Sequence, residues 1–181
     1  MPLLDRFRLD GRTANLTGAG RGIGAGCALA FAELGANVVV AARTREQVEA
    51  TAEQARRHGV RALPVVCDVM QRADLEHLVA AALAEFGRLD VLVNNAGGTP
   101  PMEALHTSEA MFEEAFRFNV TSAFLLTRLS VPRMLATAGG GSIVNISSAA
   151  GRLVMAGFVA FGTATEGLSF LRRELGREFA P

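Results

Sequence analysis

The chain has 181 residues, half of them apolar and a fifth charged, with eighteen basic side chains against eighteen acidic ones and a formal net charge of zero. That balance is globular, sufficient for a sizeable core, and gives no footing for nucleic acid or an anionic membrane as partner. No run approaches the roughly 20 uninterrupted apolar residues of a membrane span, and the start, Met1-Pro2-Leu3-Leu4-Asp5-Arg6, lacks a signal peptide's basic-then-apolar order, so the expected location is the cytoplasm. Cys27 and Cys67 sit in apolar contexts and read as buried thiols, and no metal site is expected. All eighteen basic residues are arginine, and the chain has no lysine, tyrosine or tryptophan. A GC-rich genome and deliberate engineering both lead to such a composition.

Thr13 to Leu16 reads as a short strand. It runs into Thr17-Gly18-Ala19-Gly20-Arg21-Gly22-Ile23-Gly24, and then into an alanine-rich helix from Ile23 to Leu34, closed by Gly35. Strand, glycine turn and helix aim free backbone N–H groups at an anion, so a phosphate is expected here. The spacing departs from G-x-G-x-x-G, and a chain without lysine cannot form a Walker loop, which excludes a Walker-type phosphotransferase. Taken alone, an unliganded surface turn is the other reading.

Asn37 to Ala42 is the β-branched run of a buried parallel strand, followed directly by Arg43. Thr44-Arg45-Glu46-Gln47 has the form of a capping box and opens a helix to His58, before Gly59. Arg61 to Cys67 gives a third strand, ending in Asp68-Val69. Gln71 to Phe86 is an amphipathic helix with Leu75, Leu78, Val79, Ala82, Leu83 and Phe86 at helical spacing, stopped by Gly87. Leu89 to Val93 is a fourth strand and leads into Asn94-Asn95-Ala96-Gly97-Gly98. Beyond Pro100-Pro101 a long helical region covers about Ser108 to Ala136, with Pro132 as the expected kink. Gly139-Gly140-Gly141 breaks the chain, Ser142 to Ile146 is a fifth strand, and a last helix covers about Phe158 to Phe179.

This alternation predicts an α/β fold: a doubly wound parallel sheet in three α/β/α layers, forming one Rossmann-like domain over residues 1–181. Ligands of such sheets bind at the carboxyl ends of the strands, near the switch in strand order. Gly18 to Gly24, Arg43, Asp68, Asn94 to Gly97 and Ser147-Ser148 all fall there.

With those residues placed, the sequence resembles the short-chain dehydrogenase/reductase family. TGAGRGIG at Thr17 to Gly24, DV at Asp68-Val69, NNAG at Asn94 to Gly97, FNV at Phe118 to Val120 and GSIVNISS at Gly141 to Ser148 stand in family order and spacing from about Leu9 onward. The resemblance implies a dinucleotide site, with Gly18, Gly22, Ile23 and Gly24 at the pyrophosphate, Asp68 and Val69 flanking adenine, and Asn95, Ala96 and Gly97 on the adenosine ribose side. Members preferring NAD carry an acidic residue at the end of the second strand, where this chain has Ala42. With Arg43 and Arg21 converging there, NADP(H) is expected over NAD(H). The implied reaction is reduction of a ketone or oxidation of a secondary alcohol on a small-molecule substrate. Gly98 to Leu105 and Gly151 to Val159 would wall its pocket with small and apolar side chains that fit many carbonyl compounds.

The pattern then departs. Asn119 and Ser148 match the family's catalytic asparagine and serine, but Phe161 and Thr165 stand at the tyrosine and lysine positions. A free tyrosine has a pKa of about 10 and needs the lysine's charge to act near neutrality, and both groups are gone. His58, His77 and His106 lie in or beside helices away from the fifth strand. Pro181 follows the last helix, where family members continue into two more strands, so a fold truncated after the fifth strand and its helix is expected, with a strand edge unpaired. Asn15 stands in the first strand where an aliphatic residue is expected. These departures suggest a chain altered from an active relative by engineering, pseudogenisation or truncation. Two functions follow: an NADP(H)-dependent oxidoreductase with impaired turnover, or a catalytically silent nucleotide-binding or scaffold protein. The latter would form a homo-oligomer, a dimer or tetramer, through the helices of Ser108 to Ala136 and Phe158 to Phe179 and exposed residues such as Phe170 and Leu171.

Overall fold

The computed structural model describes residues 3–180; Met1, Pro2 and Pro181, on which the readings of the chain's start and end fall, lie outside them. Five parallel strands form one sheet: β1 Thr13–Thr17, β2 Asn37–Ala42, β3 Ala62–Val66, β4 Val91–Asn94 and β5 Ser142–Asn145, in the order β3-β2-β1-β4-β5. The helices are α1 Gly22–Glu33, α2 Arg45–Arg56, α3 Arg72–Phe86, α4 Glu109–Phe116, α5 Ser122–Ala138 and α6 Val159–Phe179. The doubly wound α/β arrangement expected from the alternation is present, with element ends within about two residues of expectation. No described helix is long and apolar enough to cross a membrane.

Alternate side chains of the central strands feed two cores, because strand side chains point to opposite faces. Ala14, Leu16, Val38 and Val40 meet Ala28 and Ala32 of α1 and Val48, Ala52 and Ala55 of α2. Val39, Ala41 and Leu92 meet Leu75, Leu78, Val79 and Ala82 of α3 and Leu126 and Met134 of α5. The three valines of β2 have no solvent exposure, as the unbroken β-branched run requires. A third, smaller cluster joins Ala115 of α4 to Ala160 and Ala164 of α6. In this sheet β5 is an edge, with Val144 40% exposed.

Three sequence expectations are corrected. The capping box at Thr44 is not made: Thr44 precedes α2 in extended geometry without a side-chain cap bond, and the Gln47 side chain lies against Gly20 instead of reaching back. The long helical region is not one α-helix: a π-turn over Arg117–Thr121 divides it into α4 and α5, and α5 carries Pro132 inside it. Asn119 causes that turn locally, since its Nδ2 donates to the Ala115 carbonyl at 2.8 Å, the acceptor its own backbone N–H would use in an α-helix. Cys27 is half-buried, and only Cys67 is buried.

The amino ends of β1, β4 and β5 are tied at Asp90. Its carboxylate accepts from Thr13 N at 2.9 Å, from Arg12 at 3.1 Å and from Arg88 Nε at 2.8 Å, while its carbonyl accepts from Ser142 N at 2.9 Å. Burial alone would raise this carboxyl's pKa, but the bonds from Arg88, Thr13 and Arg12 outweigh it and hold it below the usual carboxylate range. Asn15 is the opposite case: fully buried between its register partners Val39 and Leu92, it leaves both Oδ1 and Nδ2 without a partner among the described residues.

Two stability measurements follow, both by urea denaturation. Asn15→Val raises the unfolding free energy by about 1–3 kcal/mol, the cost of burying an unpaired amide. Asp90→Asn lowers it by about 1.5–3 kcal/mol at neutral pH. Because the folded carboxyl's pKa is depressed, its contribution is present above the unfolded value and lost as pH falls through the folded one. The gap between Asp90→Asn and the parent therefore narrows on acidification.

Candidate functional site

The carboxyl ends of the strands open on one cleft of about 690 Å³. Every residue assigned to the cofactor or to catalysis lines it except Gly24: Gly18, Arg21, Gly22, Ile23, Arg43, Asp68, Val69, Asn95, Ala96, Gly97, Asn119, Ser148, Phe161 and Thr165. The expected pocket walls are corrected: of Gly98 to Leu105 only Gly98 lines this cleft, and none of Gly151 to Val159 does, because the two segments pair with each other, Met102 N donating to the Gly157 carbonyl at 2.7 Å. A cleft of this size falls in the range of small-molecule sites, about 300–1,000 Å³.

Its floor is where β4 meets the glycine turn. Asn95 Nδ2 donates to the carbonyls of Thr17 at 2.9 Å and Gly18 at 3.1 Å, and the Thr17 hydroxyl accepts from Asn95 N at 3.1 Å and Ala96 N at 3.2 Å. Only glycine permits this approach. A Cβ on Gly18 would stand 2.7 Å from Asn95 Nδ2 and 2.9 Å from Ala96 Cα, and one on Gly24 would stand 2.5 Å from Asn95 Nδ2 and closer still to the Gly18 carbonyl. Gly24 is thus the buried spacer behind the turn rather than part of its open surface. Gly22, at φ +58°, has nothing within 4 Å of a Cβ position and presents bare backbone outward. The turn therefore fits a pyrophosphate, which needs unobstructed backbone approach.

One end of the cleft is charged. Arg21 and Arg43 are both exposed there, and among the described residues neither has an ion-pair or hydrogen-bond partner. Thr44 and Gln47 stand beside them, released from the capping box. α2 rests on the turn through Thr51, whose hydroxyl donates to the Gly20 carbonyl at 3.4 Å. Asp68 shapes the turn after β3: its N–H donates to Asp74 Oδ2 at 2.8 Å and its Oδ1 accepts from Met70 N at 3.0 Å. Beside it, burial pushes the Cys67 thiol up to about 12, with the charges of Asp74 and Asp68 adding, so it remains a thiol and not a nucleophile.

The other end has no ionisable lining residue. Asn119 is buried; its Oδ1 accepts from Gly98 N at 2.8 Å, and its Nδ2 is held by the Ala115 carbonyl. Ser148 accepts from Ala150 N at 3.2 Å. Phe161 presents a ring near Phe158, the centroids 6.4 Å apart. Thr165 is 2% exposed and turns its hydroxyl into its own helix, donating to the Phe161 carbonyl at 2.8 Å and the Gly162 carbonyl at 3.1 Å. None of His58, His77 and His106 reaches the cleft.

Sequence reasoning missed the Thr17 hydroxyl as the clamp on β4, Gln47 as a wall, and Cys67 and Phe118 as lining. A hydroxyl at the last position of β1 was the available signal for the first. Nothing local marked the others, which depend on how α2, β3 and the π-turn pack.

Compared with known proteins, residues 12–181 match the sequence profile of short chain dehydrogenases. An uncharacterized oxidoreductase of Mycobacterium tuberculosis is 46% identical over 179 residues, 99% of this chain and 68% of the relative. The 7alpha-hydroxysteroid dehydrogenase of Escherichia coli K12 is 34% identical over 171 residues, 94% of this chain and 66% of the relative. This chain therefore spans about two thirds of the length of the relatives it matches. Among solved structures, a 7 alpha-hydroxysteroid dehydrogenase complexed with NADH and 7-oxo glycochenodeoxycholic acid superposes with a TM-score of 0.94 at 34% identity, over 98% of this chain and 69% of that one. A short-chain type dehydrogenase/reductase of Mycobacterium marinum gives 0.94 at 32% identity, over 100% and 74%.

Gly24→Ala is expected to cost about 1–3 kcal/mol, the price of overpacking against fixed backbone. Gly26→Ala, two residues along α1 with open space around its Cβ position, should gain about 0.5–1 kcal/mol. Parallel denaturation curves of the two variants check the pair.

Proposed function

The chain belongs to the short chain dehydrogenase family, and on that premise we propose that its cleft binds NADP(H) in preference to NAD(H), while turnover of a ketone or secondary alcohol is impaired. The relatives are oxidoreductases acting on CH–OH groups. The observation that carries the cofactor preference is the pair of guanidinium groups, Arg21 and Arg43, without a partner among the described residues, beside Ala42, which carries no carboxylate to repel a 2′-phosphate. Gly18, Gly22, Ile23 and Gly24 would hold the pyrophosphate, Gly24 through the packing it permits. Asp68 and Val69 would flank the adenine, and Asn95, Ala96 and Gly97 the adenosine ribose side. A nicotinamide dinucleotide supplies two-electron chemistry when bound. The whole chain, 1–181, is read as one such domain, acting in the cytoplasm on a small-molecule carbonyl or alcohol.

The impairment rests on the proton. General acid–base catalysis contributes about 10²–10⁴-fold and needs a positioned group that exchanges a proton near neutrality. Phe161 offers no hydroxyl, and Thr165 spends its own on backbone carbonyls. Ser148 remains to position a substrate oxygen, with no group beside it to protonate that oxygen; Asn119, bonded at both atoms of its amide, holds the loop after β4.

A second reading is favoured by that same end of the cleft: a catalytically silent nucleotide-binding or scaffold protein. Phe170 on α6 is 54% exposed, and α4, α5 and α6 would supply the faces of a dimer or tetramer.

Titration of NADPH, followed by its own fluorescence, is expected to saturate at least about tenfold tighter than NADH. Arg43→Ala should erase most of that difference. Binding without discrimination would overturn the preference, and no saturation at millimolar cofactor would overturn the nucleotide-binding reading. The double replacement Phe161→Tyr with Thr165→Lys should raise ketone reduction by about 10²–10⁴-fold over the parent chain; equal rates would mean that turnover was never limited there.

A further inference from the structure

We propose that Arg117, outside the cleft's lining, is a positioning residue for it. By holding the Met70 carbonyl it fixes where the turn after β3 stands against the π-turn, and so how closely the cleft fits a nucleotide. The proposal rests on the nucleotide-binding reading above. Strand order creates the need for such a residue. In the order β3-β2-β1-β4 the ends of β3 and β4 lie three strand spacings apart, roughly 14 Å, and no ladder bond links them.

The turn after β3 is held almost wholly by itself. Cys67 N donates to the Ala42 carbonyl at 3.0 Å, the last tie to β2. Beyond it, Asp68 N donates to Asp74 Oδ2, Met70 N to Asp68 Oδ1, and Gln71 N to the Asp68 carbonyl at 2.9 Å. Among the described residues one bond joins this turn to a distant segment: Arg117 Nη2 donates to the Met70 carbonyl at 3.0 Å, across 47 residues of chain.

Arg117 opens the π-turn, and the next two residues, Phe118 and Asn119, line the cleft. Asn119 Oδ1 accepts from Gly98 N, so two residues of one turn hold the turn after β3 and the loop after β4. Phe118 packs against the apolar cluster that contains Cys67 and Val69. Apolar contact is non-directional and brings the walls together without fixing their angle. A hydrogen bond weakens steeply as it bends, so the one from Arg117 adds the missing direction. Its side chain is exposed and makes no other hydrogen bond or ion pair among the described residues. Removing it deletes one tie and leaves the core packing intact.

Isothermal titration of the full chain, Arg117→Met and Arg117→Lys with NADPH and NADH, alongside urea denaturation of all three, tests this. Arg117→Met keeps the aliphatic stem and loses the donors. It is expected to weaken both nucleotides by the same factor, about threefold to tenfold, with the urea midpoint close to the parent's. The ratio of NADPH to NADH affinity stays as Arg21 and Arg43 set it, and Arg117→Lys, which keeps a donor, recovers at least half of the loss. Parental affinity in Arg117→Met overturns the inference, as does a lysine variant no better than the methionine one. A loss confined to NADPH means direct contact with its 2′-phosphate, and a midpoint that falls in step with affinity means a packing role; either also overturns it. In each of these cases the nucleotide-binding reading stands, whereas a parent chain that binds neither nucleotide removes that reading and this inference together.

Discussion

The structure depends on how closely the end of β4 approaches the glycine turn. Asn95 reaches across to two carbonyls of that turn, and the Thr17 hydroxyl returns the contact by accepting two amides of the β4 end. Neither would be possible with a methyl group at residue 18 or 24. This contact sits between β1 and β4, at the point where the strand order turns from β3-β2-β1 to β4-β5. Helices leaving the two strands go to opposite faces there, and the space left between them is the cleft. Residues that look like ligand groups in the sequence, Asn95 above all, are first the fastening that makes the cleft exist.

The same double use runs through the rest of the site. Asn119 holds the loop after β4 by accepting from Gly98 N, and it does so by displacing its own backbone into a π-turn. Asp68 serves its own turn before it can serve a ligand. What distinguishes Arg21 and Arg43 is that neither side chain has an ion-pair or hydrogen-bond partner among the described residues. Two cations without a partner among the described residues add nothing to a marginally stable fold.

Much of this was legible in the sequence because it is local. The run from Asn37 to Ala42 is β2 to the residue, and the apolar face of α3 contains the buried Leu75, Leu78, Val79 and Ala82. The cleft's membership was legible because parallel sheets gather strand ends, so residues distant in the chain fall together once the strands are placed. What escaped were contests between a local rule and a tertiary contact. The box at Thr44 lost to Gln47 packing on Gly20, and the long helix lost its regularity to one side-chain amide. Spacing cannot tell a glycine that faces the cleft from one that, like Gly24, lets another strand approach it.

The exclusive use of arginine decides what such a cleft can do. An arginine keeps its charge at any pH the fold tolerates and meets phosphate or carboxylate with a planar fork. That suits Arg88 and Arg12 on Asp90 and Arg61 against Glu85, and it suits Arg21 and Arg43 at the mouth of the cleft. It does not suit proton transfer, for which a lysine's variable pKa or a phenol beside it is needed. Where the cleft requires a fixed charge the chain has one, and where it requires a movable proton it has a phenyl ring and a hydroxyl turned into its own helix. On the function proposed above, binding and turnover, which one cavity normally serves together, would be separable in this chain.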